Sequence, residues 1–270
     1  MKYYYLFFFI FILASCKNEN KKSISSEKSN LKTPELTIKT NDKGAEIIEK
    51  LEENTAAKKR EISTITYLFN QDTYQINRNC GWYEFTQKYA DSEKTDSLVL
   101  DNMEISQYSK GKAVEDLSTS TKRNLRKEMK TKLFFAELIF GLNSPAVQKK
   151  YLQEEKINEE EYHKVKLEFI EENYEEDYLV EAVFWINKTM KKPEFIAVNF
   201  EEDKSEKIFL KPINQREIEG VSFFDYQVFT ADKNKKIEEM AQLFEEEKLQ
   251  QKEELKYENI EVVLSDENCD

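Results

Sequence analysis

The sequence predicts a mainly β domain of the α+β class, built from antiparallel strands and set behind an export signal and a polar tether. Three observations predict it. Apolar and polar residues alternate with a period of two from about residue 61 onward, short polar turns separate the alternating runs, and only 5 Gly and 4 Pro interrupt 270 residues. A hydrophobic content of 39%, with 13% aromatic residues, is enough to bury a sizeable core.

The chain begins with Lys2 and an apolar run from Tyr3 to Leu13. That run is well short of the roughly twenty residues a spanning helix needs, so it reads as the core of a signal peptide. It ends in Leu13-Ala14-Ser15-Cys16, the lipobox pattern: an aliphatic residue, two small ones, then a cysteine whose thiol takes a diacylglycerol. Lys17 to Asp42 are rich in Lys, Asn, Ser and Glu, the composition of a solvated coil with a reach on the order of 28 Å. The expected organisation is a signal peptide over residues 1–15, a lipidated cysteine and tether over 16–42, one β domain over 43–265, and a tail over 266–270.

Asn41 or Asp42 caps a predicted helix over about Lys43 to Ala57, with Ala45, Ile48 and Leu51 on one face. Strands follow: Ile65, Tyr67 and Phe69 alternate, Asn70-Gln71-Asp72 turns the chain, and Tyr74, Ile76, Tyr83, Phe85 and Tyr89 continue the period. Leu98 and Leu100, then Ile105 and Tyr108, mark two shorter strands. A second helix is predicted over about Thr119 to Phe140. Its first half carries Lys122, Arg123, Arg126, Lys127, Lys130 and Lys132, and its second half is apolar on nearly every side, as a buried helix is. The basic half reads either as a solvated face or as a contact for anionic headgroups. Strands resume beyond Pro145 over 151–157, 162–169, 178–186, 195–200, 208–213 and 221–229, with turns at Asn158-Glu159, Glu171 to Asp177, Asn187-Lys188, Asp203 to Ser205 and Glu219-Gly220. A helix over about 235–247 and a last strand over 255–264 close the domain.

The chemistry is mostly excluded. A formal net charge of -12 repels phosphate backbones, and no basic stripe is interleaved with aromatics, so nucleic-acid binding is not expected. His163 is the one histidine and shares a strand face with Val165, Leu167 and Phe169. That pattern reads as a hydrogen-bonded core residue; neither a metal site nor a catalytic relay is expected without a second histidine. The acidic run Glu171 to Asp177 lacks the spacing of an EF-hand and reads as a solvated hairpin tip. No phosphate loop or nucleophile elbow occurs, so no catalytic residue and no cofactor are expected. Once lipidation has used Cys16, Cys80 and Cys269 remain; because chain ends are usually mobile, two free thiols are expected in place of a disulfide. The aromatic alternation has two readings. Tyr67, Phe69, Tyr83, Phe85, Phe184 and Phe223, together with Leu133, Phe134, Leu138, His163, Val165, Leu167 and Phe169, form either plain core or the lining of a cavity open to lipid.

Several segments resemble the motifs of an uncharacterised lipoprotein family of Bacteroidota, a domain of unknown function: Phe140 to Val147 with Lys149-Lys150-Tyr151-Leu152, Tyr162 to Val165, Phe184 to Lys188, and Gly220 to Tyr226. That family is similar in layout to the outer-membrane lipoprotein carrier (LolA-like) group. The resemblance implies a curved antiparallel half-barrel with an N-terminal helix and the central apolar helix packed against its concave face. It also implies a non-enzymatic envelope lipoprotein, anchored to a membrane of the bacterial envelope through Cys16, whose half-barrel holds a hydrophobic ligand such as an acyl chain. The alternative is a structural or protein-interaction module with a filled core. The anchor has a direct test: labelled fatty acid is expected in the wild-type protein and absent from Cys16→Ala, and labelling that persists in the variant rules the anchor out.

Overall fold

The fold is a computed structural model describing residues 42–91, 95–169, 180–200, 206–266 and 269. The signal peptide, Cys16, the tether up to Asn41, the acidic turn 171–177 and the turn 203–205 lie outside the described residues. The helix α1 (Asp42–Asn54) is followed by a 3₁₀ segment (Ala57–Ile62), and then by β1 (Ser63–Phe69), β2 (Asp72–Asn79), β3 (Trp82–Lys88), β4 (Ser97–Asp101), β5 (Ile105–Ser109) and β6 (Lys112–Ala113). Next come α2 (Thr119–Ala136), β7 (Val147–Ile157), β8 (Glu160–Phe169), β9 (Val180–Asn187), β10 (Pro193–Phe200), β11 (Lys207–Ile218) and β12 (Val221–Ala231). A 3₁₀ turn (Ile237–Glu239), α3 (Met240–Glu245), β13 (Gln250–Leu255) and β14 (Glu258–Leu264) complete the chain.

Among the described residues the protein is mostly β, with antiparallel pairing throughout and no closed barrel. The strands form two seven-stranded sheets, in the orders β14-β1-β2-β3-β4-β5-β6 and β13-β12-β11-β10-β9-β8-β7. Turn chemistry explains the meander. Asn70-Gln71, Cys80-Gly81, Lys110-Gly111, Asn158-Glu159 and Glu219-Gly220 each place two consecutive residues at positive φ, the backbone of a two-residue turn whose twist matches that of the strands it joins. Register then aligns the apolar rows. In the first sheet Ile65 faces Ile76, Ile76 faces Phe85, Phe85 faces Leu100 and Leu100 faces Ile105. In the second, Val165, Phe184, Ile196, Leu210 and Val228 form the corresponding row.

The last predicted strand divides. Residues before Lys256 pair with β12 in the second sheet, and residues after Tyr257 pair with β1 in the first. Asp225 of β12 holds the crossing point: its Oδ1 accepts the Tyr257 amide at 3.0 Å and an Arg216 nitrogen at 2.9 Å, while the same arginine donates to the Tyr257 carbonyl. The Tyr257 ring meanwhile packs edge-on against Tyr67 at 5.3 Å and stacks on Phe69 at 5.5 Å, both in the other sheet. One residue thus bonds one sheet with its backbone and the other with its side chain.

The helices are shorter than periodicity predicts. The first ends at Asn54 because the Thr55 hydroxyl turns back to the Leu51 carbonyl at 2.8 Å and Ala56 adopts φ 48°. Ile47, Ile48 and Leu51 are buried while Ala45 is only half-buried; full burial of Ile48 or Leu51 contributes roughly 2 kcal/mol. Gly44 permits the close seat of α1 on β7, since a Cβ there would lie 3.0 Å from the Tyr151 nitrogen. The second helix, capped by Ser118, stops at Ala136, and Leu138 to Phe140 belong to the loop that follows. The C-terminal helix is reduced to a 3₁₀ turn and six residues of α3, which cover the outer face of the second sheet, where Phe244 meets Phe209 at 5.3 Å and Phe229 at 5.0 Å.

The expectation of two free thiols is corrected. Cys80, at the β2–β3 turn, and Cys269 form a disulfide across a sequence separation of 189. The first sheet brings the two ends together: the chain past β14 runs antiparallel to β1, with the Ser265 amide bonded to the Ile62 carbonyl, back toward the end where Cys80 sits. A crosslink closing so long a loop restricts the unfolded chain, typically by about 2–4 kcal/mol. Cys269→Ser is expected to lose that amount in urea unfolding, with reductant lowering the wild type to the same stability and leaving the variant unchanged.

Candidate hydrophobic pocket

The site is built by the loop between α2 and β7. Glu137 leaves the helix with its amide still bonded to the Leu133 carbonyl at 3.0 Å, and the chain turns through Gly141 at φ 70° before entering β7. Three anchors fix this loop, two of them from distant parts of the sequence. Arg78 of β2 donates from two nitrogens to the Glu137 carboxylate and lies 4.4 Å over the Phe140 ring. Glu52 of α1 accepts the Asn143 amide at 3.1 Å. Lys149 of β7, itself buried, donates to the carbonyls of Ser144 and Val147, each at 2.9 Å.

Burial governs the electrostatics of these anchors. It pushes the Glu52 carboxyl up from its ordinary value of 4.5 and the Lys149 ammonium down from 10.5, each partly offset by the other's charge. A fourth group, Arg60, is almost fully buried and donates to the carbonyls of Ala136 at 3.4 Å and Ser222 at 3.1 Å, so the end of α2 is tied to the second sheet. Its guanidinium lies 4.5 Å from the Phe223 ring centre, and its Nε makes no hydrogen bond. Arg60, Tyr67, Phe223 and Tyr257 surround an enclosed cavity of about 20 Å³, room for one water molecule.

Between the loop, α2 and the end of β8 lies a larger, open pocket of about 300 Å³. Its walls are mainly apolar: Leu133 and Phe134 from α2, Leu138, Phe140, Leu142, Ala146 and Val147 from the loop and the start of β7, and Phe169 from β8. Arg78, Lys130 and Glu137 supply charged groups to the lining. Phe134 is held in place by edge contacts with Phe169 at 5.7 Å and Phe200 at 5.8 Å. On the other side of the loop a second pocket of about 460 Å³ is lined by Glu52, Lys58, Glu61, Asn143 and Cys269, among others.

The residues singled out in the sequence fall into three groups. Leu133, Phe134, Leu138 and Phe169 line the open pocket. Phe85, Val165, Leu167 and Phe184 are fully buried in packed clusters, as are Tyr67 and Phe223 apart from the water-sized cavity, while Phe69 and Tyr83 are half-buried against the same clusters. His163 stands apart at a half-exposed position beside Tyr151. Its buried Nδ1 has no hydrogen-bond partner, the nearest carboxylate oxygen being that of Glu154 at 3.9 Å, and burial lowers its pKa; the expected hydrogen-bonded core histidine is not what forms. The sequence pattern predicts Phe140 within a helix and gives no sign that Arg78, Lys130 and the loop line a pocket; the structure places all of them there. The run Gly141-Leu142-Asn143-Ser144-Pro145 does carry a loop signal.

No family model matches the sequence, and no curated protein matches it. Solved structures similar to it over part of the chain include three from different bacteria. A LolA superfamily protein from Nitrosomonas europaea is similar at 13% identity with a TM-score of 0.47, over 83% of this chain and 94% of its own. A domain described as outer membrane lipoprotein-sorting, from Vibrio parahaemolyticus, is similar at 11% identity with a TM-score of 0.44, over 70% and 86% respectively. The lipoprotein LppX from Mycobacterium tuberculosis is similar at 11% identity with a TM-score of 0.27, over 60% and 90%. At such scores these likenesses assign no ligand or activity to this chain. Among the described residues, no helix is long and apolar enough to cross a membrane and no three metal-type ligands come together.

The Glu52 clamp generates a pH dependence. A carboxyl with a raised pKa binds more protons in the folded than in the unfolded state, so its contribution to stability is full below 4.5 and falls as pH rises through the raised folded value. Glu52→Gln keeps an oxygen for the Asn143 amide and removes that decline. It is expected to be at least as stable as wild type at neutral pH, whereas Glu52→Ala, which strands the amide, loses about 1–2 kcal/mol in the same denaturation series.

Proposed function

We propose that this protein is an envelope lipoprotein, exported and held at a membrane by a lipid on Cys16, that binds or shields a hydrophobic ligand such as an acyl chain without converting it. The open apolar pocket beside the 137–147 loop carries the reading. Its volume of about 300 Å³ is at the lower end of what small-molecule sites enclose, and its walls are mostly aliphatic and aromatic. Of its charged lining groups, Arg78 and Glu137 bind each other. Two features support the export half: the lipobox, and the Cys80–Cys269 disulfide, a bond typical of oxidising compartments outside the cytosol. The domain reading, one β domain over 43–265 behind a tether, belongs to the same proposal.

A second reading, a protein-interaction module of the envelope, has one observation in its favour: most of the inner face of both sheets is filled by side chains, with Phe85, Phe184 and Leu167 fully buried. A plug separates the two. Ala146 lines the pocket yet is solvent-exposed, so Ala146→Trp places an indole in the opening without overpacking the core. A naphthylamine probe is expected to bind wild type, to be displaced by fatty acid, and to bind at least about tenfold more weakly to the variant. A wild type that takes up no probe removes the ligand-binding reading and leaves the interaction module.

A further inference from the structure

The second helix carries opposite chemistries at its two ends, and the pocket lies where they meet. Its apolar end supplies Leu133 and Phe134 to the lining, and Lys130, one turn earlier, lines the same pocket. One further turn back, on the same helix face, stands Arg126, half-buried, whose Nη2 is buried and has no hydrogen-bond partner. Lys122, Arg123, Lys127 and Lys132 extend the positive charge along the helix, against the single carboxylate of Glu128. In a protein of net charge -12 this is a local reversal of sign, and it adjoins an apolar pocket. A buried guanidinium nitrogen without an acceptor costs free energy unless something accepts its hydrogen.

We propose that the pocket's ligand is an amphiphile with an anionic head: the chain lies among Leu133, Phe134, Leu138 and Phe169, and the carboxylate or phosphate ester is held by Lys130 and Arg126. This rests on the hydrophobic-ligand reading above and adds the head-group class to it. Geometry sets the order of the parts. Lys130 lines the pocket one turn before Phe134, and Arg126 stands one turn before Lys130 on the same helix face, so a head group beside Lys130 has Arg126 as its next cation. An oxyanion accepts from both cations at once, and in a partly desolvated site such charge-assisted bonds are stronger than those of a neutral head.

The test uses the full-length protein and four probes competed against the naphthylamine dye: laurate, lauryl phosphate, lauryl alcohol and inorganic phosphate. Laurate and lauryl phosphate are expected to bind about tenfold or more tightly than the alcohol, and Arg126→Gln/Lys130→Gln is expected to erase most of that preference, read as the ratio of laurate to alcohol affinity within the variant. Lys122→Gln/Arg123→Gln, farther along the helix, is expected to change the preference less than about twofold, which separates a held head group from diffuse attraction screened by salt. Circular dichroism of each variant checks that it folds. Alcohol binding as tightly as laurate overturns the head-group proposal and leaves the pocket reading standing. Failure of all three chain-bearing probes overturns the pocket reading itself. Displacement by inorganic phosphate alone reassigns the cations to a free anion and overturns the proposal. Binding to phosphatidylglycerol vesicles that Arg126→Gln/Lys130→Gln abolishes, with laurate affinity unchanged, reassigns them to the bilayer surface with the same consequence.

Discussion

The structure depends on one crossing, at Lys256 and Tyr257, where a single run of chain stops pairing with β12 and begins pairing with β1. The Tyr257 amide and carbonyl are spent on Asp225 and Arg216 of the second sheet, while its ring is packed on Tyr67 and Phe69 of the first. Backbone groups buried at such a bend must find partners. Asp225 meets that requirement with three accepted bonds, from Tyr257, Arg216 and Asn214, and so makes the bend a fixed corner.

A second consequence is that the beginning of β12, which β13 does not reach, is left for the segment after α1. The Ser222 amide bonds to the Thr55 carbonyl and the Ser222 carbonyl accepts from Arg60, whose other nitrogen reaches Ala136 at the end of α2. A buried guanidinium is an expensive way to join three elements, since removing it from water costs several kcal/mol. It is also a specific one: its fixed fork permits one orientation of the helix end relative to the strand. Distant anchors recur at the pocket loop, where Glu52 and Arg78 each hold one section and the neighbouring Lys149 holds a third.

The pocket is an exception within a filled interior. Along both inner faces, aromatic and branched side chains from facing rows occupy the space between sheet and helix. Where α2 ends, the chain changes from helix to loop, Gly141 contributes no side chain, and the packing leaves an opening between Phe134, Leu138 and Phe169. The open pocket is thus a discontinuity in the packing, beside a helix that is basic in its first part and apolar at its end.

Much of the fold was legible in the sequence because its signals are local. Alternation over five to eleven residues specifies a strand, and the turns at Asn70-Gln71, Asn158-Glu159 and Glu219-Gly220 sit where the alternation breaks. The lipobox expectation at Cys16 likewise rests on neighbouring residues alone, outside the described residues. Helix ends were less legible: Ala56 and Glu137 end their helices through tertiary partners and backbone choices that propensity does not encode. The open pocket, the disulfide, the division of the last strand and the half-exposed position of His163 were decided by tertiary structure alone. Each depends on segments far apart in the chain, such as Cys80 with Cys269 or Glu52 with Asn143, whose meeting is set by sheet register and by the corner at Tyr257. Periodicity says which residues turn inward; only the packed sheets determine whether the space they face is filled.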